Sequence, residues 1–351
     1  MLKGKVVLIT GSGGLVGSSS VEYFSSFFST VIGIDNDSRS YFFGDNSSTK
    51  GVTSKLEKKY PNYINFNGDI RDKEFIEKIF IDYGTDLELI IHAAAQPSHD
   101  WAAREPITDF TINANGTLNV LEAARSNCPK ATFIYTSTNK VYGDLPNYLP
   151  LQDVGSRFDL DSSHPYFKGI DEEMSIDNST HSLFGVSKLS ADLMVQEYGR
   201  YFGMNTTVFR GGCLTGSNHQ GAQLHGFLSY IIKCFKHQLP YTIFGYGGKQ
   251  VRDNIHSEDL VRAFHAVHQN PGKGKVYNIG GGRDNSCSIL EVISILENLN
   301  NSKFVFDSSN AARVGDHKWY ITNNAKFKTD YPTWDIEYSL PNIVLDIWES
   351  S

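Results

Sequence analysis

The chain has 351 residues, of which 40% are hydrophobic and 20% charged, and its net charge is −7. These are globular values, and the acidic balance argues against a nucleic acid or an anionic membrane as the main partner. No apolar run reaches the roughly 18 residues that a membrane-spanning helix needs. The start, Met1 to Lys5, leads straight into a strand-like run without signal-peptide features. Cys128, Cys213, Cys234 and Cys287 are widely spaced, with no C-x-x-C pair. They read as reduced thiols of a cytoplasmic protein rather than as a disulfide framework or a metal site.

The first half alternates short apolar runs with helical patterns. Strands are expected at Lys5–Thr10, Thr30–Ile34, Tyr63–Phe66, Leu87–Ile91, Ala131–Thr136 and Thr206–Phe209. Helices are expected at Val21–Phe28, Lys73–Tyr83, Trp101–Ser126 and Ser182–Phe202. Such alternation predicts an α/β fold of the Rossmann type, a doubly wound parallel sheet covered on both faces. Beyond Arg210 the pattern loosens into helices near 222–238, 257–269 and 287–299 and short strands near 241–244, 275–279 and 303–306. The reading is therefore a dinucleotide-binding domain over 1–210 and a smaller α+β substrate lobe over 211–351. Segments 36–62 and 145–180 are long for loops, and the second reads as a lid-like insert.

Gly11, Gly14 and Gly17 form a G-x-x-G-x-x-G turn between the first strand and the following helix. Bare backbone there lets the chain approach a pyrophosphate, and the helix N-terminus supplies N–H donors and positive dipole. Asp35 ends the second strand, 18 residues past Gly17. A carboxylate at that place accepts hydrogen bonds from a ribose and repels a 2′-phosphate, which favours NAD over NADP. Arg39 is the nearby residue that blurs this preference. Asp69, after the third strand, reads either as an adenine contact or as a helix N-cap.

Further blocks accompany the turn: His92-Ala-Ala-Ala95, Asn113-Ala-Asn-Gly-Thr117, Ser137-Thr-Asn-Lys-Val-Tyr-Gly143, Phe184-Gly-Val-Ser-Lys188, Gln250 to His256 and Tyr277-Asn-Ile-Gly280. Together they resemble the extended short-chain dehydrogenase/reductase superfamily, in its branch of NAD-dependent nucleotide-sugar epimerases and dehydratases. The resemblance runs from about Lys5 to Trp334. The block after the fifth strand and the stretch from Ala191 to Arg210 are similar to CDP-paratose (CDP-tyvelose) 2-epimerases. The resemblance implies a nucleotide-diphosphate-sugar substrate, a homodimer or higher homo-oligomer built partly on the Phe184 helix, and bound NAD. That chemistry oxidises a carbinol carbon to a ketone and then returns hydride to the opposite face. A 4-epimerase or 4,6-dehydratase is the alternative within the branch, although Asn139 and Lys140 follow Thr138 where a dehydratase usually has acidic residues.

Residue by residue, the resemblance places Asn36, Asp69, Ile70, Ala93, Ala94, Asn113 and Lys188 on the cofactor. Gln96, Cys213, Asn218, Gln250, Arg252 and Arg313 face the nucleotide sugar, with His225 a further candidate. Arg252 and Arg313 suit a diphosphate because guanidinium binds phosphate bidentately and stays charged. Thr138 matches the hydroxyl residue that holds the reacting oxygen. Phe184 departs from the pattern, because the family has a tyrosine there, four residues before the lysine. Tyr166 does not replace it, since Ile170 and not lysine follows at that spacing. Three readings stay open: an introduced block, a native site with another base, or a non-catalytic binder. For the second, His99 beside Asp100 is the leading substitute, because an imidazole titrates near neutrality; His181 and Cys213 are weaker candidates. The other reading of His99 and Asp100 is a surface or capping role at the start of the next helix.

Overall fold

The computed structural model describes residues 5–216, 226–310 and 315–351. From the N-terminus the elements are β1 (Val6–Thr10), α1 (Leu15–Phe24), β2 (Thr30–Asp35), α2 (Ser38–Phe43), α3 (Lys50–Lys59), β3 (Tyr63–Asn67), α4 (Lys73–Tyr83) and β4 (Leu87–His92). Then come α5 (His99–Arg104), α6 (Pro106–Phe110), α7 (Thr117–Asn127), β5 (Thr132–Thr138), β6 (Gln152–Asp153), β7 (Phe158–Asp159), α8 (Leu183–Phe202), β8 (Asn205–Gly211) and β9 (Cys213–Thr215). The remainder is α9 (Phe227–Lys236), β10 (Thr242–Phe244), β11 (Val251–His256), α10 (Ser257–Gln269), β12 (Lys275–Ile279), β13 (Ser286–Ser288), α11 (Ile289–Asn300), β14 (Asp307–Ser309), β15 (Trp319–Tyr320), α12 (Ala325–Asp330) and α13 (Leu340–Ser350).

Two compact units result. The first comprises Met1–Thr138, Leu183–Arg210 and Leu260–Tyr277, and the second comprises Asn139–Ser182, Gly211–Asp259 and Asn278–Ser351. The division is not a single cut at residue 210. The 145–180 insert belongs with the second unit, while most of α10 and β12 belong with the first, because β12 completes the first unit's sheet.

That sheet has seven strands in the order β12-β8-β5-β4-β1-β2-β3. It is the doubly wound parallel sheet that the alternating pattern implied. β1 is buried over all five residues, as an inner strand of a covered sheet must be. The strand order reverses between β1 and β4, and open α/β sheets bind ligands at the carboxyl ends of such neighbours. Thr10 and His92 end those two strands.

Several elements differ from the pattern-based expectation. α1 starts at Leu15, not Val21, because its sheet-facing side is built from Gly17, Ser18, Ser19 and Ser20 and carries no apolar signal there. The long helix expected over Trp101–Ser126 is three helices and a π turn. Pro106 opens α6 after Glu105 leaves helical geometry, and Thr111–Gly116 is the π turn. The 36–62 segment carries α2 and α3. The expected strand at 303–306 lies instead at Asp307–Ser309, where β14 pairs in parallel with β10.

In the second unit, β11 pairs with β13, β15 and β9. A separate apolar core gathers Ile231, Phe235, Val292, Leu296, Ile343 and Ile347. The insert that reads as a lid is pinned within this unit. Arg157 binds Glu291 at 2.5 Å, Arg283 binds Asp159 at 2.6 Å, and Lys249 binds Asp153 at 2.7 Å. Among the described residues, no helix is long and apolar enough to cross a membrane.

Candidate active site

The glycine turn of the first unit fits a dinucleotide. A Cβ on Gly17 would meet the Gly11 carbonyl at 2.0 Å, and one on Gly11 would meet the Ala94 nitrogen at 2.8 Å. Both glycines are therefore required by packing, and Gly11 also has a φ of +70°. Gly14 differs, because its Cβ would touch only Gly11 O, at 3.4 Å. It is the N-cap of the ten-residue α1, and no side chain caps that helix end. An uncapped helix N-terminus behind an open glycine leaves N–H donors and positive dipole that suit a pyrophosphate. The Ala93 N–H donates to Thr10 O at 3.2 Å and the Ala94 N–H to Thr10 Oγ1 at 3.2 Å, tying the β4 end to the β1 end.

Asp35 ends β2 and accepts the Gly13 N–H at 2.9 Å. Asn36 donates to Asp69 Oδ2 at 2.9 Å, and the Arg71 guanidinium holds Asp69 at 3.0 and 2.7 Å. Burial alone would raise the Asp69 carboxyl, but the donors from Arg71 and Asn36 outweigh it and hold the group below the usual range. The N-cap reading of Asp69 fails, since Asp72 caps α4 by accepting the Phe75 N–H. Ile70 is buried against Gly116.

The chemistry-bearing face lies on α8. Phe184, Lys188, Asp192 and Gln196 recur every four residues and are all buried. Lys188 Nζ donates to Thr136 O at 2.7 Å and sits 4.2 Å from the centre of the Tyr135 ring. It is thereby anchored two residues before Thr138, the last residue of β5. Desolvation lowers the ammonium to about 7, against the opposing pull of Asp192 and Asp109. Asp192 accepts from Arg210 at 3.0 Å through each oxygen, from Ser137 at 2.6 Å and from Gln196 at 2.6 Å. Burial raises Asp109, while hydrogen bonds and the Lys188 charge pull it back.

Asn113, turned inward on the π turn, joins these parts. Its Oδ1 accepts the Gln96 N–H at 2.9 Å. Its two Nδ2 hydrogens are shared among Gln96 O, Asp109 Oδ1 and Ser187 Oγ, at 3.0–3.1 Å. Gln96 is only 1% exposed and donates to Ser98 O and Asp109 Oδ1. It braces the loop after β4 rather than facing a ligand, which corrects its expected place on the substrate. His92 is buried between Thr10 and Thr117, at 2.7 and 2.9 Å. The Thr117 hydroxyl donates to Asn113 O at 2.6 Å, so it accepts from His92 Nε2–H and leaves Nδ1 as the acceptor. Desolvation, aided by the Lys188 charge, lowers this imidazole to about 3 and keeps it neutral.

Phe184 is 7% exposed. The His99 imidazole lies against it, with ring centres 4.9 Å apart in a tilted edge arrangement. His99 is the first residue of α5, whose N-cap is Ser98, accepting the Trp101 N–H. The structure therefore assigns capping to Ser98 and turns the His99 ring toward the position where the pattern expects a tyrosine.

In the second unit, Arg252 donates to Val251 O at 2.8 Å and lies 3.8 Å from Asp316 Oδ1. Gln250 donates to Phe244 O at 3.3 Å. Cys213 is partly buried and desolvation pushes its thiol up to about 11, which leaves it a thiol at neutral pH. His181 lies 2.7 Å from Val141 O through Nε2. Asn218, His225 and Arg313 lie outside the described residues. Sequence reasoning missed the supporting roles of Asp109, Ser187, Asp192 and Arg210. The four-residue spacing from Phe184 through Gln196 was the available signal for Asp192; the partners of the others come from remote strands and turns.

Residues 7–280 match the NAD dependent epimerase/dehydratase family. The chain belongs to that family. CDP-paratose 2-epimerase of Salmonella typhi is 33% identical over 98% of this chain and 99% of its own length. dTDP-glucose 4,6-dehydratase of Haemophilus influenzae is 27% identical over 95% of this chain and 89% of its own. A tyrosine-to-phenylalanine mutant of UDP-glucuronic acid 4-epimerase from Bacillus cereus, solved with UDP-4-deoxy-4-fluoro-glucuronic acid and NAD, superposes with a TM-score of 0.76. It is 23% identical, and 98% of each chain is covered. The protein is an enzyme of this family and NAD is its cofactor. The uncapped α1 end, the open Gly14 and the Asp35 carboxylate suit that cofactor.

Proposed function

We propose that this enzyme is a nucleotide-sugar epimerase that inverts C2 of a CDP-hexose of the CDP-paratose/CDP-tyvelose type, with His99 as its acid/base. The observation that carries the second part is the His99 ring packed on Phe184, on the helix that also carries Lys188. The sugar assignment is supported by the full-length similarity to a CDP-paratose 2-epimerase.

Bound NAD supplies the acceptor and donor of hydride. The chain's residues do the remainder. Thr138 holds the reacting hydroxyl by a hydrogen bond, and His99 takes its proton and later returns it. Lys188 supplies positive charge beside the cofactor. Phe184 gives the imidazole an apolar wall in place of a hydroxyl. The first unit binds NAD, and the second binds the nucleotide diphosphate through Arg252 and Arg313.

Asn139 and Lys140 after Thr138 disfavour the dehydratase reading, since a dehydratase usually has acidic residues there. The intact Lys188, Asn113 and Asp192 network disfavours a non-catalytic binder. Incubation with CDP-paratose and CDP-tyvelose tests the proposal. Absence of interconversion by the protein and by Phe184→Tyr sinks the named substrate. We further propose a homodimer, since Ile107, Phe110, Leu118, Leu183, Val186 and Leu193 expose apolar surface on α6, α7 and α8. Sedimentation of Val186→Glu/Leu193→Glu as a monomer, beside a dimeric parent, checks it.

A further inference from the structure

We propose that Asp37, gripped by the Thr49 turn, is a second cofactor-selecting carboxylate beside Asp35. It keeps a 2′-phosphate out even when Asp35 is neutralised.

Asp35 is not a freely rotating carboxylate. Its Oδ2 accepts the Gly13 N–H at 2.9 Å. Its Oδ1 accepts the Asp37 N–H at 2.9 Å and the Thr49 hydroxyl at 2.7 Å. The same hydroxyl lies 3.1 Å from Asp37 Oδ1, so one hydrogen is shared between two carboxylates. Thr49 also donates its N–H to Asp37 Oδ1 at 2.6 Å, and the Ser48 and Ser40 hydroxyls lie 3.0 and 3.2 Å from Oδ2. Thr49 in turn packs on the glycine turn, since a Cβ on Gly13 would strike the Thr49 Cβ at 2.6 Å. The ribose-reading carboxylate and Asp37 therefore form one rigid frame against the cofactor turn.

Asp37 keeps its charge. Burial pulls Asp37 upward, but the backbone and hydroxyl donors of Thr49, Ser48 and Ser40 outweigh it and hold the group below the usual range. Lys50 offsets little, being 3.7 Å away and largely exposed. The Arg39 guanidinium lies over the Phe43 ring, 5.0 Å from its centre. Asp37 has a φ of +56°, a conformation that Asn tolerates as well as Asp, so Asp37→Asn removes the charge without backbone strain.

The test titrates the full-length protein, stripped of bound nucleotide, with NAD and with NADP by calorimetry. Asp35→Asn alone is expected to leave most of the NAD preference, because Asp37 remains, and Asp35→Asn/Asp37→Asn to raise NADP affinity relative to NAD by about tenfold or more over Asp35→Asn. Thr49→Val should weaken NAD binding about tenfold, with Thr49→Ser restoring it. The proposal is overturned if the ratio of Asp35→Asn/Asp37→Asn stays within about twofold of that of Asp35→Asn. It is equally overturned if Asp284→Asn, which neutralises an exposed carboxylate of the second unit, shifts the ratio as much. The parent's own NAD isotherm reports separately on the cofactor assignment.

Discussion

The cofactor end and the proton-transfer end of the first unit are built on different logic. At the cofactor end, short local segments do the work: the glycine turn, the end of β2 and the turn at Thr49. At the proton-transfer end, side chains from α5, the π turn, β5, α8 and β8 converge on a buried polar stripe. The first end carries the glycine turn and the Asp35 carboxylate. The second retains the ammonium and loses the phenol. The His99 ring lies against the wall where the phenol is missing.

Substitutions can break this contrast, and the largest effects fall on the proton-transfer end. Asp192→Ala removes the carboxylate that the Arg210 guanidinium, 6% exposed, grips through both oxygens. Loss of one member of a buried pair costs about 3–5 kcal/mol, so a thermal melt should show a large drop or no cooperative transition. His99→Gln keeps size and polarity but cannot shuttle a proton near neutrality. Turnover should fall by about 10²–10⁴ with the NAD content of the purified protein unchanged. Phe184→Tyr placed on His99→Gln should recover at least about tenfold, because it reinstates a phenol four residues before Lys188.

A pH measurement sharpens the comparison further. Lys188 is depressed to about 7 in the folded protein, from 10.5 unfolded. Above 10.5 both states are neutral and the group has no effect on stability. As pH falls from 10.5 to 7 the unfolded chain binds the proton first, so the folded state loses stability; below 7 the loss is constant. Relative to Lys188→Met, the protein should therefore gain stability as pH rises from about 7 to 10, by at most about 1.4 kcal/mol per unit. At the cofactor end the smallest effect is expected from Gly14→Ala. Its Cβ meets no protein atom closer than 3.4 Å, so the melt should move little while NAD affinity falls.

The contrast also explains how far the sequence could be read. The strand-helix alternation and the glycine spacing are local signals, and the sheet, the turn and Asp35 were legible from them. α1 was expected too late because serines and glycine, not apolar residues, face the sheet. The π turn at Asn113 left no periodic trace, and Pro106 was masked by a helical pattern on either side. Gln96 resembles a ligand residue in its motif, yet its amide is consumed by Ser98 and Asp109. Arg210 and Asp109 acquire meaning only when remote segments meet, which periodicity does not report. Phe184 was conspicuous in sequence, but its contact with the His99 imidazole, at 4.9 Å, is tertiary.

The most direct measurement follows NADH absorbance and sugar interconversion in parallel, comparing the parent with His99→Gln at equal NAD occupancy and with CDP-paratose as substrate. The account predicts interconversion by the parent and a loss of at least about a hundredfold in both signals for His99→Gln. Undiminished turnover in His99→Gln would show that another group carries the proton, and would contradict the assignment.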